Sequence, residues 1–582
     1  MAQPRVRETR RVWVPAAFFG AFALVVSGRL IQVQVIDHDT YASRARTELT
    51  TGETLFARRG SILDRNGNVL ATSVDTWDIY VSARVWKDAG RAMAGSEAIA
   101  RILAGDLAQP RTDASAIRRK VQQSQSVDVL IARDVDFETG KLLMASDIPG
   151  LIALQDTARV NPEGDTGGSV LGLISQDNVG LAGIEAGHND VLQGKLGKAI
   201  YERDTTGEPI PFGQHIVMDP EPGKDVILTI DRYLQRLAEQ RLAQAVKEHR
   251  AKRGAIIVMD PATGEILALA TSPALKYSTL DLNDPQQMEL LKNPAISDLY
   301  EPGSVMKIVT ASAAIDAGVV GPDTTYVDNG IAYIYEVPIR NWQDEAWGTQ
   351  TMTGVLQHSI NTGAIFMAGK LGKVAFEKYL DAFGFGRPSG IDFPGEAAGI
   401  FRRSSDKDWS PVDLATQSFG QAISVTPIQM LTAVAAAING GNLLRPHFVK
   451  AQISSDGTVH EVAPEIVDRA ISTETSATIR SMLGQVIAMD PPGVGRNPRY
   501  YTAGGKSGTA NVAVINGYND TQIASFVGFA PLENPRILVL VKLDENADGQ
   551  TGTAAAGPIF AHFADEALGY LGVAPEKGVA RP

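Results

Sequence analysis

The sequence contains no cysteine. That excludes disulfides, thiol catalysis and cysteine-ligated metal centres, and it suits a protein facing an oxidising space. Histidine is sparse as well. Its eight copies are scattered, without His-Glu-x-x-His or comparable ligand spacing, so no metal site is expected. Positive charge is not in excess either: the formal net charge of -12 gives no nucleic-acid footprint. What is present is ordinary for a globular protein. The 582 residues are 44% hydrophobic and 21% charged, enough for several domains with sizeable cores.

Long apolar runs are also scarce, and one stands out. Arg5, Arg7, Arg10 and Arg11 precede an apolar run from Val12 through Ser27 that continues after Arg29 as Leu30-Ile31. A cleaved signal peptide begins similarly. This run is longer, however, and no small-x-small site with a polar mature start follows it. The expectation is an uncleaved transmembrane anchor over 12–35 behind a cytoplasmic tail, 1–11, oriented by its basic end. Arg29, near the outer end, is expected to snorkel to headgroups or pair within a helical partner. Everything past about residue 36 then lies outside the cytoplasm.

From Ala57 the chain reads Arg58-Arg59-Gly60-Ser61-Ile62-Leu63-Asp64-Arg65-Asn66-Gly67-Asn68-Val69-Leu70. Asn66-Gly67 between β-rich flanks predicts a hairpin, across which Arg59, Asp64 and Arg65 would pair. Helical patterns at Ala92–Leu103 and Asp113–Gln123, with short strands between, predict a small mixed subdomain. Gly167-Gly168 and Gly183 lack the strand–loop–helix frame of a phosphate loop and are expected to make tight turns. Met218–Lys224 is rich in proline and glycine and is taken as a linker. Beyond it, Val226–Ile230 predicts a strand and Asp231 the cap of an amphipathic helix. Residues 255–260 and 265–270 predict a hairpin, 503–510, 523–530 and 537–543 further strands, and 554–571 a closing helix. The fold class expected is α+β: one antiparallel sheet with helices on both faces plus a helical insertion.

Three stretches carry chemistry. In Glu301-Pro302-Gly303-Ser304-Val305-Met306-Lys307, Pro302-Gly303 signals helix entry, and Lys307 falls on the face of Ser304. A serine hydroxyl needs a neighbour to take its proton, and a buried lysine with a lowered pKa can be that neighbour. Alone, the spacing equally fits a capping serine and a solvated lysine. In His358-Ser359-Ile360-Asn361, the Ser359 hydroxyl can relay a proton and the Asn361 carboxamide can hold a lysine and a substrate amide. In Ala503-Gly504-Gly505-Lys506-Ser507-Gly508-Thr509, glycines in a strand imply close backbone approach. Such an edge strand can take a peptide by strand addition and its carboxylate through Lys506, Ser507 and Thr509. A Walker loop would need glycine at position 500, which is Tyr500, and helical flanks.

Together, Ser304-x-x-Lys307, Ser359-x-Asn361 and Lys506-Ser507-Gly508-Thr509 resemble the signature of penicillin-recognising serine transferases. The anchored layout, the Arg59-Gly60…Asp64-Arg65…Gly67 hairpin and Gly180…Gly183-Ile184-Glu185 are similar to class B penicillin-binding proteins, monofunctional peptidoglycan D,D-transpeptidases. So are Glu301-Pro302-Gly303 and Thr426-Pro427-Ile428-Gln429. Ala524–Gly528 and Ala556–Phe560 lean toward the septal, cell-division branch. Val305 stands where threonine is common, and Ala422 replaces a usual glycine.

The resemblance implies a pedestal or dimerisation-type module over 36–220, a transpeptidase domain over 221–575 and a tail, 576–582. It implies Ser304 as nucleophile, Lys307 as base and Ser359 as proton return to the leaving D-Ala. Asn361 positions Lys307 and the substrate amide, and Lys506 supplies positive potential. Ser507, Gly508 and Thr509 bind substrate, with the N–H groups of Ser304 and Thr509 as oxyanion hole. No cofactor is implied. The implied partners are stem peptides, β-lactams, a SEDS-family glycosyltransferase and other division proteins, at the bacterial inner membrane. An elongation-specific enzyme, a β-lactamase, a β-lactam sensor and a non-catalytic scaffold are the alternatives.

Overall fold

The computed structural model describes residues 6–41, 50–55, 57–106, 109, 113–202, 215–514 and 517–577. The expected tails at 1–11 and 576–582 lie partly outside these residues. The described residues fall into two compact units, one from Met1–Arg58 with Gly194–Pro222, the other from Arg59–Gln193 with Gly223–Pro582.

In the first unit, a helix over Val6–Ile31 continues as a π-helical turn, Gln32–Ile36. Its stretch Trp13–Ile36 has 24 residues and is apolar and long enough to cross a membrane. At 1.5 Å per residue it reaches about 36 Å, against about 30 Å of hydrocarbon. Arg29 finds a local partner, its Nη1 donating to Gln32 Oε1 at 2.7 Å. Thr50–Leu55, Gly197–Glu202 and His215–Met218 form a three-stranded antiparallel sheet.

In the second unit, the Asn66-Gly67 turn forms as expected, pairing Ile62–Leu63 with the start of Val69–Ser82. The expected charge pairing across it does not form. Buried Asp64 instead accepts the backbone N–H groups of Asn66 and Asn68 at 2.9 and 2.8 Å, which shapes the turn. Arg59 points elsewhere, its Nε donating to Glu185 Oε2 at 2.6 Å, while Arg159 Nε donates to Oε1 of the same carboxylate at 2.7 Å. Arg65 pairs with Glu265. The small subdomain has helices Ala89–Leu103 and Ala114–Gln123, both capped by aspartates. Gly167 and Gly183 take positive φ, the tight turns expected there, whereas Gly168 opens the short helix Gly168–Leu171.

Asp225–Leu228 pairs in parallel with Ile62–Leu63 and antiparallel with Val449–Ile453, so one seven-stranded sheet carries strands from both segments of this unit. Asp231 caps the helix Arg232–His249 as expected. The central sheet has five antiparallel strands in the order Ile266–Ser272, Arg253–Met259, Ile537–Asp544, Gly517–Ala530, Gly504–Val514. Period-2 alternation splits its side chains between two cores. Ile256, Val258 and Val539 face the core that includes Leu242 of Arg232–His249 and Phe563 of the closing helix, Gly552–Tyr570. Ile257, Met259, Leu538 and Leu540 face the core of Lys307–Asp316 and Pro427–Ile438. Pro427–Ile438 is buried at all its positions, a core helix started by a Thr426/Gln429 capping box.

Candidate active site

Gly303–Met306 forms a 3₁₀ turn that runs straight into the helix Lys307–Asp316. In such a turn residues three apart eclipse, which stacks Lys307 against Ser304 more tightly than an α-helix would. Lys307 Nζ lies 3.0 Å from Ser304 Oγ. It also lies 2.8 Å from Asn361 Oδ1 and 2.5 Å from the Ser359 carbonyl oxygen. A neutral amine has two hydrogens and one lone pair. The two carbonyl oxygens can only accept, so they take the hydrogens and leave the lone pair for the Ser304 hydroxyl. Burial, reinforced by the charge of Lys506, holds Lys307 well below the usual lysine range. Lys307 is 0% exposed, whereas Ser304 is half-buried and within reach of a substrate.

Ser359 sits in the left-handed region, φ +58°, between the helices Met352–Gln357 and Asn361–Leu371. That strained backbone turns its carbonyl toward Lys307. Its Oγ accepts from Lys506 Nζ at 2.9 Å and stands 3.3 Å from Lys307 Nζ. A continuous path of polar contacts thus runs Ser304, Lys307, Ser359, Lys506. Asn361 Nδ2 donates one hydrogen to the Arg340 carbonyl at 2.9 Å and keeps the other for a ligand.

Gly504–Val514 is an edge strand, as its glycines foretold. A Cβ on Gly303 would lie 2.9 Å from Thr509 O, so that carbonyl points off the sheet toward the Gly303–Met306 turn. In an extended strand a residue's N–H and C=O face the same edge, so the Thr509 N–H also faces Ser304. Gly508 allows the approach: a Cβ there would lie 2.5 Å from Ser525 Oγ and 2.7 Å from Pro302 O. Lys506 is buried, and burial followed by the charge of Arg496 brings its pKa down to about 7.

Two partners were not anticipated from sequence. Thr553, in the first turn of the closing helix, meets Ser507 Oγ at 2.9 Å, and Gly552 N–H donates to Thr509 Oγ1 at 3.1 Å. A Cβ on Gly552 would lie 2.2 Å from Gly508 O. Gly552-Thr553 has no motif of its own; only the packing of helix on strand reveals it. At Ala422 the backbone is left-handed, φ +55°, and its N–H donates to Glu301 Oε1 at 2.9 Å, which accounts for the usual glycine; nothing in the structure explains the alanine. Glycine takes that conformation at lower cost.

The fold and this serine–lysine centre define a serine acyltransferase of the penicillin-recognising class. The family model described as Penicillin binding protein transpeptidase domain matches residues 254–565, and that of the Penicillin-binding Protein dimerisation domain matches residues 54–228. The chain belongs to the class B penicillin-binding proteins. It is 33% identical to Stage V sporulation protein D of Bacillus subtilis, over 95% of this chain and 84% of that one. It is 29% identical to Probable peptidoglycan D,D-transpeptidase PenA of Neisseria meningitidis, over 99% and 95% of the two chains. Its fold superposes on penicillin binding protein 3 of Mycobacterium tuberculosis, solved with aztreonam, with a TM-score of 0.67 and 26% identity, covering 90% and 98%.

Proposed function

We propose that this chain is a membrane-anchored peptidoglycan D,D-transpeptidase that cross-links stem peptides during septal cell-wall synthesis. The observation that carries the reading is the buried Lys307 amine, its two hydrogens committed to carbonyl oxygens and its lone pair left for Ser304. Ser304 Oγ attacks the carbonyl of the penultimate D-Ala as Lys307 takes its proton. The oxyanion forms between the N–H groups of Ser304 and Thr509. Ser359, touching both lysines, hands a proton to the amine of the departing D-Ala as the C–N bond breaks. An amine of a neighbouring stem then resolves the ester and releases Ser304. Asn361 holds Lys307 and the substrate amide; Lys506, Ser507 and Thr509, beside Gly508, receive the terminal carboxylate.

The apolar helix supports a single-pass anchor, with the catalytic domain beyond the cytoplasmic membrane. The segments Ala524–Gly528 and Ala556–Phe560 support the septal branch, where a SEDS-family glycosyltransferase is the expected partner. A tagged copy should concentrate at midcell, and a sidewall pattern would return the elongation reading. The test of the chemistry is covalent. Intact-mass spectrometry after penicillin treatment should show one adduct, mapped to Ser304. An adduct on Ser359, or none, would sink the assignment.

A further inference from the structure

Next to this centre stands a hairpin whose outer face the reaction scheme leaves unused. Ile331–Ile334 pairs with Val337–Arg340. Strand alternation sends Ala332, Ile334 and Ile339 inward against Ala364, Ile365 and Phe419, which fixes the hairpin on the helix that begins at Asn361. The other face points to solvent. Tyr333 is 66% exposed opposite Pro338, Tyr335 is 78% exposed at the tip, and Trp342 is 51% exposed just past the base. The hairpin's end joins the catalytic machinery directly, since Asn361 Nδ2 donates to the Arg340 carbonyl.

Tyr335 is the telling residue. Its φ is +53°, a left-handed conformation at a hairpin tip that glycine or asparagine adopts at lower cost. A ring this exposed gains little packing to offset the strain. Strain kept at a solvent-facing tip, on a hairpin whose base is bonded to Asn361, points to a role in binding. The chemistry of the occupant follows from the surface. Glu336 and Glu345 are exposed beside the rings, which disfavours an anionic lipid face and offers acceptors for hydroxyl and amide donors. Flat, rigid aromatic rings offer apolar faces that cost little entropy to present. Tyr333, the last outward-facing strand position, and Tyr335, at the tip that follows, present two rings within one short stretch of exposed surface.

We infer that the ridge of Tyr333, Tyr335 and Trp342 is a carbohydrate subsite, stacking on the N-acetylated sugar rings of the glycan strand that carries the stem peptide. This rests on the transpeptidase reading, because only a peptide tethered to glycan brings sugars beside Asn361. The subsite holds the polymer while Ser304 acts on its peptide.

The test uses the full chain in detergent and uncharged strands of β-1,4-linked N-acetylglucosamine. The wild-type protein should retain these strands. Tyr333→Ala and Tyr335→Gly should each weaken retention about tenfold, the scale of one lost aromatic stack. Tyr335→Gly should also melt at a higher temperature, because glycine relieves the left-handed backbone, and this shows that binding was lost without unfolding. Equal retention by wild type and both variants, or no retention by wild type, overturns the subsite and assigns the ridge to another partner such as a protein. Penicillin labelling of the wild-type preparation separates the two readings. A labelled Ser304 with no glycan retention overturns the subsite alone, whereas an unlabelled Ser304 overturns the transpeptidase reading on which it rests.

Discussion

Lys307 and Lys506 need opposite protonation states for the chemistry proposed, although they share one pocket. Lys307 acts as a base only when neutral, and burial drives it there. Lys506 attracts a carboxylate only when charged, and its pKa of about 7 makes that charge conditional near neutrality. Acylation by penicillin should therefore follow a bell-shaped pH profile. Its acid limb reports protonation of Lys307, and its alkaline limb begins near pH 7 as Lys506 discharges. Lys506→Arg keeps the charge at all working pH values, so the alkaline limb should flatten in stopped-flow acylation measurements. Lys307→Arg should do the reverse. A guanidinium does not release its proton, so acylation should fall by at least about 10² while the fold persists. A folded Lys307→Arg protein that acylates normally would point to another base.

At the scale of elements, the site depends on two closures of backbone against backbone, both at Ser507–Thr509 of the edge strand: the Gly303–Met306 turn against it, and the first turn of the closing helix against it. Both occur at glycines. Gly508→Ala would force a methyl into the space held by Ser525 Oγ and Pro302 O. The expected cost is about 1–3 kcal/mol of overpacking. The Thr509 N–H should retreat from Ser304 as well, so acylation should slow by more than the stability loss alone would cause. Urea unfolding and acylation rates on the same preparation would separate the two effects. Unchanged acylation would mean that the strand does not supply the oxyanion donor.

At the scale of the whole molecule, Glu185 joins distant parts of the chain by holding two buried arginines at once. Glu185→Ala would leave Arg59 and Arg159 buried without their common anion. Breaking such a pair costs about 3–5 kcal/mol. Arg159 Nη2 already lacks a hydrogen-bond partner, so little slack remains to absorb the loss. A thermal melt should fall by several degrees, while penicillin still labels whatever protein stays folded. The apolar segment belongs to the same scale. Exchanging 12–35 for an unrelated apolar span should leave acylation intact, because the site is built from residues between 300 and 553. It should weaken co-purification with the proposed glycosyltransferase partner. Undiminished co-purification would make the segment an anchor only.

The chain by itself determined the family and much of the frame. Ser304, Lys307, Ser359, Asn361 and Lys506 were singled out because three short motifs, each weak alone, together resemble one family signature; that they meet around one lysine is decided by the fold. The five central strands and their hairpin were legible because alternation and turn chemistry act over short spans. Tertiary structure alone decided whatever depends on distant segments meeting. Arg59 left its expected neighbours for Glu185, 126 residues away, because a buried guanidinium takes the best buried carboxylate rather than the nearest in sequence. Thr553 reached Ser507 only because the closing helix packs on the edge strand. The lowered pKa values of both lysines, on which the proposed proton transfers rest, come from burial, and burial is a property of the assembled core.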